Sequence, residues 1–208
     1  MADKRPWHPA GENTAGLASA PLKNGPGLLI LYSIEIQFQK GRATMSKTES
    51  NLKEAFAGES QANRTYLAFA KQADKEGNAQ AAKLFRAAAE AETVHAHAHL
   101  RALGTVGKTA ENLRTAVAGE THEFKKMYPA MIEDAKAEGA KAAQQSFTYA
   151  NAVEQVHAAL YQKALDNLDK LPKVDYWVCS VCGNTFEGEP PDECPICGSK
   201  KQVFFKVD

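Results

Sequence analysis

The fold of this chain is decided by a pattern that occurs twice: Ala-Gly-Glu at residues 57–59 with Glu-Thr-Val-His at 92–95, and Ala-Gly-Glu at 118–120 with Glu-Gln-Val-His at 154–157. A single Glu-x-x-His is common in helices rich in alanine and glutamate. Two copies that each follow a matching glutamate are much harder to obtain by chance. Because each copy spans two helix-like segments, the duplication predicts four helices that carry carboxylates and imidazoles on their apolar faces.

The two copies align once a single inserted residue is allowed. Glu59 and Glu120 are 61 positions apart, whereas the Glu-Gly pair at residues 76–77 recurs 62 positions later, at 138–139. The two Glu-x-x-His motifs are also 62 positions apart. One inserted residue reconciles the two spacings, so we treat the pattern as a true internal repeat.

Composition is typical of a globular chain with one domain and a small module. Its 208 residues are 44% hydrophobic, which is enough for a packed core. The 25 basic and 25 acidic residues cancel, so charge predicts neither a nucleic-acid partner nor a membrane partner. The longest strongly apolar run, residues 28–34, falls far short of the roughly 20 residues that cross a bilayer.

Composition also divides the chain into three parts. Residues 1–47 match nothing later in the chain, and we expect an irregular extension, which a start codon assigned too far upstream would explain. Residues 48–171 have the Ala-, Glu-, Lys- and Leu-rich composition of a helical bundle. Turn residues divide this part into four helices, with breaks at 76–78, 103–108 and 138–139. Residues 172–208 are too few to fold on a hydrophobic core alone, and a structural metal would supply the missing stability.

Helical spacing predicts which residues share a face. Positions i, i+3, i+4 and i+7 form one row, and in every predicted helix a glutamate falls in the middle of an apolar row. The row of the first helix is Leu52, Phe56, Glu59, Asn63, Tyr66 and Ala70. Burying unpaired carboxylates is unfavourable, so four such glutamates need compensating cations.

These rows define a candidate dinuclear metal site. Its predicted ligands are five carboxylates and two imidazoles: Glu59, Glu92, His95, Glu120, Glu123, Glu154 and His157. Di-iron carboxylate bundles use this type of ligand set, and carboxylates with a few imidazoles suit iron or manganese. The first repeat has Ala62 in the place of Glu123, so we expect an asymmetric site. The alternative is a bundle whose charged residues lie on solvated faces.

The C-terminal part carries a second candidate metal site. Two Cys-x-x-Cys-Gly knuckles supply Cys179, Cys182, Cys194 and Cys197. Four thiolates predict a tetrahedral site, and their spacing does not distinguish iron from zinc. Cysteines confined to one short segment suit metal binding better than a disulfide framework, so we expect a reducing, cytoplasmic location.

Residues 48–208 resemble the rubrerythrins, which are ferritin-like di-iron proteins. The matching motifs are residues 55–62, 92–95, 118–123, 127–129 (Met-Tyr-Pro) and 154–157, and the second cysteine knuckle is similar to that of rubredoxin. The resemblance implies a ferritin-like four-helix bundle at 48–171, a rubredoxin-like iron domain at 172–208 and the seven ligands given above, with Tyr66 and Tyr128 near the metals. It also implies an exchange in which one iron is held by Glu123 when oxidised and by His95 when reduced.

These features predict a peroxidase that reduces hydrogen peroxide to water in protection against oxidative stress. A diferrous pair holds the two electrons that the reaction needs, and Glu120 or Glu123 would move protons. The cysteine-bound iron would return electrons, drawn from a reductase or a rubredoxin. The resemblance implies a head-to-tail homodimer, in which the module of one chain lies next to the di-iron site of the other.

Two other functions stay open on the sequence. A ferroxidase or iron-storage protein would use a similar bundle, although it needs no electron relay. A zinc ribbon in place of the iron module would make the chain a binding or regulatory protein.

Overall fold

The computed structural model describes residues 46–208, and the extension predicted for residues 1–47 lies almost wholly outside this range. Four long helices precede a small module that contains a β-sheet, which confirms the predicted mainly α fold class. The helices are α1 (Lys47–Lys75), α2 (Ala79–Leu103), α3 (Thr109–His122) continued by α4 (Tyr128–Ala137), and α5 (Lys141–Asp166). We call α1 and α2 the first hairpin, and α3 to α5 the second hairpin. None of the described helices has the length and apolar character that a bilayer crossing needs.

Glycine turns separate the helices where the sequence predicts breaks. Gly104 ends α2 in the left-handed region, at a φ of 65°, and its N–H donates to the carbonyl oxygens of Leu100 and Arg101. Gly77 and Gly139 take nearly the same φ, 78° and 69°, at the turns of the two hairpins. The repeat in the sequence therefore corresponds to a repeat in backbone conformation.

The third long helix contains a feature that sequence reasoning missed. Between α3 and α4, residues Glu123–Met127 form a π-helical turn. Such a turn accommodates an extra residue without ending the helix. It lies between Glu120 and the turn at Gly139, where the spacing of the two copies grows from 61 to 62 positions. The inserted residue is therefore absorbed in the π turn, which begins at Glu123.

The helices of each hairpin pack through small side chains. The buried residues of the described helices are seven alanines and one valine: Ala70, Ala73, Ala82, Ala89, Ala96, Ala135, Val153 and Ala158. In the first hairpin, Asn63 also donates hydrogen bonds of 2.7 Å to the carbonyl of Ala89 and 2.8 Å to Oγ1 of Thr93. The large residues of the predicted row on α1, Leu52, Phe56 and Tyr66, are only half-buried, and Leu84 of α2 is 69% exposed. The ligand-bearing face of each hairpin is therefore incompletely covered.

The C-terminal module is an antiparallel sheet with two cysteine knuckles. Its strands, β1 (Tyr176–Cys179), β2 (Thr185–Glu187) and β3 (Phe204–Val207), lie in the order β2-β1-β3. Trp177 of β1 pairs with Phe186 of β2 and with Lys206 of β3. Cys179, Cys194 and Phe204 form the buried cluster, against which Trp177 and Phe186 pack. Two metal-ligating sulfurs thus lie at the centre of the small core.

Candidate metal centres

The first hairpin brings together three of the predicted ligands. Glu92 and His95 lie one turn apart on α2, so both side chains leave the same face of the helix. Nδ1 of His95 lies 2.9 Å from Oε2 of Glu92 and 4.0 Å from Oε1 of Glu59, which reaches across from α1. The His95 side chain is 56% exposed. One donor atom from each residue lies within 4.8 Å of the others, so a single cation could contact all three.

The second hairpin repeats this arrangement almost without change. Nδ1 of His157 lies 2.7 Å from Oε2 of Glu154, also on α5, and 4.0 Å from Oε1 of Glu120 on α3. These three residues form the second group of donor atoms within 4.8 Å. They are better covered than the first group, since the His157 side chain is 27% exposed. The sequence repeat is thus a repeat of metal half-sites.

Glu123 lies outside both groups of donor atoms. It begins the π turn, close to Tyr128 at the start of α4. Burial raises the pKa of Tyr128, and the charge of Glu123 raises it further. The structure therefore places Tyr128 beside the second half-site. Glu123 is a nearby carboxylate that does not belong to the group of donor atoms.

Tyr66 of α1 and Tyr161 of α5 have different surroundings. Tyr66 packs in an aromatic cluster, with its ring 6.4 Å from the rings of both Phe69 and Phe85. Tyr161 has its ring 6.5 Å from that of His157, and its pKa is raised by burial and then by the nearby carboxylates of the second half-site. Sequence reasoning did not give Tyr161 a functional role, although it lies one turn after His157 on the same face of α5.

The electrostatics of the second half-site fit a bound cation. Burial raises the pKa of Glu120, and the charge of Glu154 raises it further, while His157 lowers it. Two carboxylates face each other in this partly buried site, so a bound cation would stabilise both. Their oxygen donors and the imidazole nitrogen suit iron or manganese.

The module is attached to the second half-site by a hydrogen bond that sequence reasoning missed. Nε2 of His157 lies 2.9 Å from Oγ1 of Thr185, the first residue of β2. An ion pair between Lys163 of α5 and Glu187 of β2 supports the same contact. The hydroxyl fixes the orientation of the imidazole ring, whose Nδ1 faces the carboxylates. No local pattern marks Thr185, because its role depends on how the module packs.

The four cysteines have the geometry of a tetrahedral metal site. The Sγ atoms are 3.7 Å apart for Cys179 and Cys197, and 3.6 Å apart for Cys182 and Cys194. A tetrahedral metal with bonds of about 2.3 Å would hold its sulfur ligands about 3.8 Å apart. All four cysteines are free of disulfides. The sulfur positions therefore already fit an ion of this size.

The protonation of the cysteines also indicates a cation. Burial raises the pKa of Cys179 and of Cys182. Burial also acts to raise that of Cys197, but its hydrogen bonds with the hydroxyl and amide of Ser199, and then with Cys182 and Cys194, outweigh burial and lower the pKa to about 6. Four thiolates cannot share this small volume without a positive charge, which a bound metal ion provides.

Fold and sites together define a helical protein with a candidate dinuclear carboxylate–histidine centre and a C-terminal four-thiolate metal module. The family model described as rubrerythrin matches residues 50–165, and the model of the rubrerythrin rubredoxin-like domain matches residues 177–205. The chain belongs to the rubrerythrin family. Its cofactors are accordingly a pair of iron ions held by the helices and one iron held by Cys179, Cys182, Cys194 and Cys197.

Named relatives cover most of the chain. It is 36% identical to rubrerythrin-2 of Clostridium acetobutylicum, over 76% of this chain and 95% of that protein. It is 34% identical to nigerythrin of Nitratidesulfovibrio vulgaris, over 78% of this chain and 88% of that protein. A solved structure of fully reduced, all-ferrous nigerythrin is 33% identical, covers 80% of this chain and 89% of its own, and superposes with a TM-score of 0.48.

Proposed function

We propose that this protein reduces hydrogen peroxide to water at its di-iron centre, in the cytoplasm, and receives electrons through its cysteine-bound iron. The observation that carries the proposal is the 2.9 Å contact between Thr185 and His157. Thr185 lies three residues after Cys182, so a short stretch of backbone and one hydrogen bond join the thiolate site to a predicted ligand of the di-iron site. An iron-storage protein has no need of such a path.

The reaction requires two electrons and two protons, because the O–O bond breaks and each oxygen leaves as water. When bound, the iron pair would supply the two electrons by passing from the diferrous to the diferric state. The side chains of the second half-site would supply protons. Glu120 or Glu123 would move these protons, as the sequence predicts.

Glu123 and Tyr128 would act next to Glu120. Glu123 lies outside the donor group, so its carboxylate is available to accept or return a proton. Tyr128 keeps its phenolic proton at neutral pH, because burial and then Glu123 raise its pKa, and it can donate a hydrogen bond to a nearby oxygen. The exchange of one iron between Glu123 and His95, implied by the family resemblance, would join the two half-sites, and it remains a prediction.

Removing the Thr185 hydroxyl tests the electron path. In Thr185→Val, the pre-reduced protein should still be oxidised by one equivalent of peroxide. Its di-iron centre should then be re-reduced through the module about tenfold more slowly, the lower end of the loss expected when a hydrogen bond to a metal ligand is removed. Stopped-flow absorption, followed separately for the two iron centres, measures both steps.

Thr185→Ser is the matched control, since it keeps the hydroxyl and should re-reduce at nearly the wild-type rate. A valine variant that re-reduces as fast as wild type would contradict the relay. Wild-type protein that consumes no peroxide but retains a ferric mineral would favour the iron-storage function instead.

A further inference from the structure

The core of the cysteine module contains one polar side chain. Asn184 is 3% exposed, and among residues 46–208 no other polar or charged residue is buried. The buried cluster of the module otherwise consists of Cys179, Cys194 and Phe204. Burying an amide is unfavourable unless its polar atoms find partners. The contacts of the Asn184 side chain therefore decide what it does in this core.

Asn184 makes its contacts with the cysteines. Its side-chain Nδ2 donates to Sγ of Cys194 at 3.9 Å. Its backbone N–H donates to the sulfur of Cys182, and its carbonyl oxygen accepts from the N–H of Cys179 at 2.9 Å. The backbone of Asn184 thus bonds within the first knuckle, whereas its side chain reaches across to a sulfur of the second.

The second knuckle carries a side-chain donor at the equivalent position. Asn184 and Ser199 each follow a knuckle glycine, and Gly183 and Gly198 take similar left-handed φ values of 85° and 72°. Both knuckles therefore make the same backbone turn, which brings the next residue to the sulfurs. Oγ of Ser199 lies 3.2 Å from Sγ of Cys197, in its own knuckle. The side chain of Asn184 differs in that it joins the two knuckles.

The orientation of the Asn184 amide favours a charged sulfur. Oδ1 of Asn184 is buried, and no donor in residues 46–208 bonds to it. A neutral thiol is a weak acceptor and would compensate poorly for this loss. A metal-bound thiolate is a stronger acceptor, because hydrogen bonds to charged groups are roughly twice as strong as neutral ones. The opposite orientation of the amide would place Oδ1 against a negatively charged sulfur, which is repulsive.

A donor at a sulfur changes the reduction potential of a four-thiolate iron site. With ferrous iron the site carries one negative charge more than with ferric iron, and the sulfurs hold part of that charge. A hydrogen-bond donor stabilises the more negative state more strongly, so it raises the potential. The effect is larger for a buried donor, because little water screens it. Asn184 is a buried donor of this kind.

We propose that Asn184 is a positioning residue that raises the reduction potential of the four-cysteine iron through the hydrogen bond from its side chain to Cys194. A higher potential makes the module easier to reduce by a donor and a weaker reductant toward the helical irons. Asn184 therefore balances the uptake of electrons against their delivery. This consequence rests on the proposed function, whereas the potential itself does not depend on whether the protein reduces peroxide.

Asn184→Leu tests the proposal, because leucine has the same branching as asparagine and no donor. The module should still fold, since the substitution also removes the unpaired Oδ1 from the core. In iron-loaded protein the equilibrium constant for one-electron reduction of the module should fall about tenfold, which lowers the potential by about 59 mV. A spectroelectrochemical titration of the cysteine–iron absorption measures this without any activity assay. Iron content and the shape of the ferric absorption should not change.

Gln202→Leu is the matched control. It makes the same change from amide to leucine at an exposed position of the module, and it should keep the wild-type potential. Asn184→Leu with full iron and the wild-type potential would overturn the proposal. An equal shift in both variants would also contradict it, because the effect would then not come from the bond to Cys194. A protein that consumes no peroxide but shows the shift only in Asn184→Leu would contradict the proposed function alone.

A measurement on the wild-type chain keeps the test independent of any loss of iron or folding in the variant. The iron of the module is replaced by an NMR-active isotope of cadmium, a soft divalent cation that thiolates bind. The side-chain N–H groups of Asn184 should then show scalar coupling to the metal, because the coupling passes through the hydrogen bond and the sulfur of Cys194. The backbone N–H of Asn184, which donates to Cys182, is the internal control. Coupling from the backbone N–H but none from the side chain would overturn the proposal.

Discussion

The cysteine module and the helical hairpins differ in how much of a metal site one folded unit completes. The module gathers all four sulfurs around a core in which Cys179 and Cys194 are each 1% exposed. The hairpins divide their ligands into two groups and bury only alanines and Val153. A site whose ligands lie close in sequence can be formed by local turns. A site whose ligands are spread over four helices depends on the association of elements, and here each hairpin forms only half of it.

The largest expected effect comes from removing a ligand of the four-cysteine site. Cys194→Ser removes a buried ligand, and structural metal sites of this type contribute about 10–16 kcal/mol to folding. We expect the module to lose its iron and unfold, while both hairpins stay helical. Metal analysis and Trp177 fluorescence report on the module, and circular dichroism reports on the helices. Ser180→Ala, at an exposed position next to Cys179, is the control; a folded module in Cys194→Ser would refute the dependence on metal.

A smaller effect is expected from removing the hydrogen bonds that join the two helices of the first hairpin. Asn63→Ala removes two hydrogen bonds that join α1 to α2 and leaves the carbonyl of Ala89 with one donor fewer. The loss should be about 1–2 kcal/mol, or about 3–6 °C in the melting temperature of the helices. Thr65→Ala is a suitable control, because its hydroxyl bonds only to Gln61 within α1. Equal melting temperatures for the two variants would show that Asn63 does not hold the hairpin together.

Much of both sites could be predicted from the sequence, because local spacing fixes it. The Glu-x-x-His motifs place Glu92 beside His95, and Glu154 beside His157, whatever the rest of the chain does. The helix breaks follow from turn glycines, as at Gly104. The four cysteines meet because both knuckles are short and belong to one small sheet. In each case the determining interactions lie within a few residues.

The features that sequence reasoning missed depend on contacts between distant elements. The hydroxyl of Thr185 meets His157 only because the module packs on α5. The exposure of the ligand-bearing faces, such as that of His95 at 56%, depends on packing between whole helices. The π turn at residues 123–127 is different, since the change in repeat spacing from 61 to 62 already indicated an extra residue. Its place in the helix was the missing information.

The smallest expected effect concerns the charge of Glu120, which destabilises the second half-site when no metal is bound. Burial, and then Glu154, raise the pKa of Glu120 in the folded protein above its ordinary value. Between the ordinary and the raised pKa the folded state therefore binds more protons than the unfolded state. Stability of the iron-free helices must fall as pH rises through this interval, and the penalty stays at neutral pH. The cysteine module has no corresponding carboxylate, so the effect belongs to the helices alone.

Glu120→Gln removes this charge with little change of shape. In iron-free protein at pH 7 it should raise the melting temperature of the helices by about 1–2 °C, the effect of roughly 0.5 kcal/mol in a chain of this size. The gain should shrink as pH falls and disappear well below the ordinary pKa of 4.5, where the wild-type carboxyl group is protonated in both states. Glu90→Gln, at an exposed position on α2, should show neither change. With iron present the sign must reverse, because the same substitution then removes a ligand; a stabilising effect in both conditions would mean that Glu120 does not face the metal.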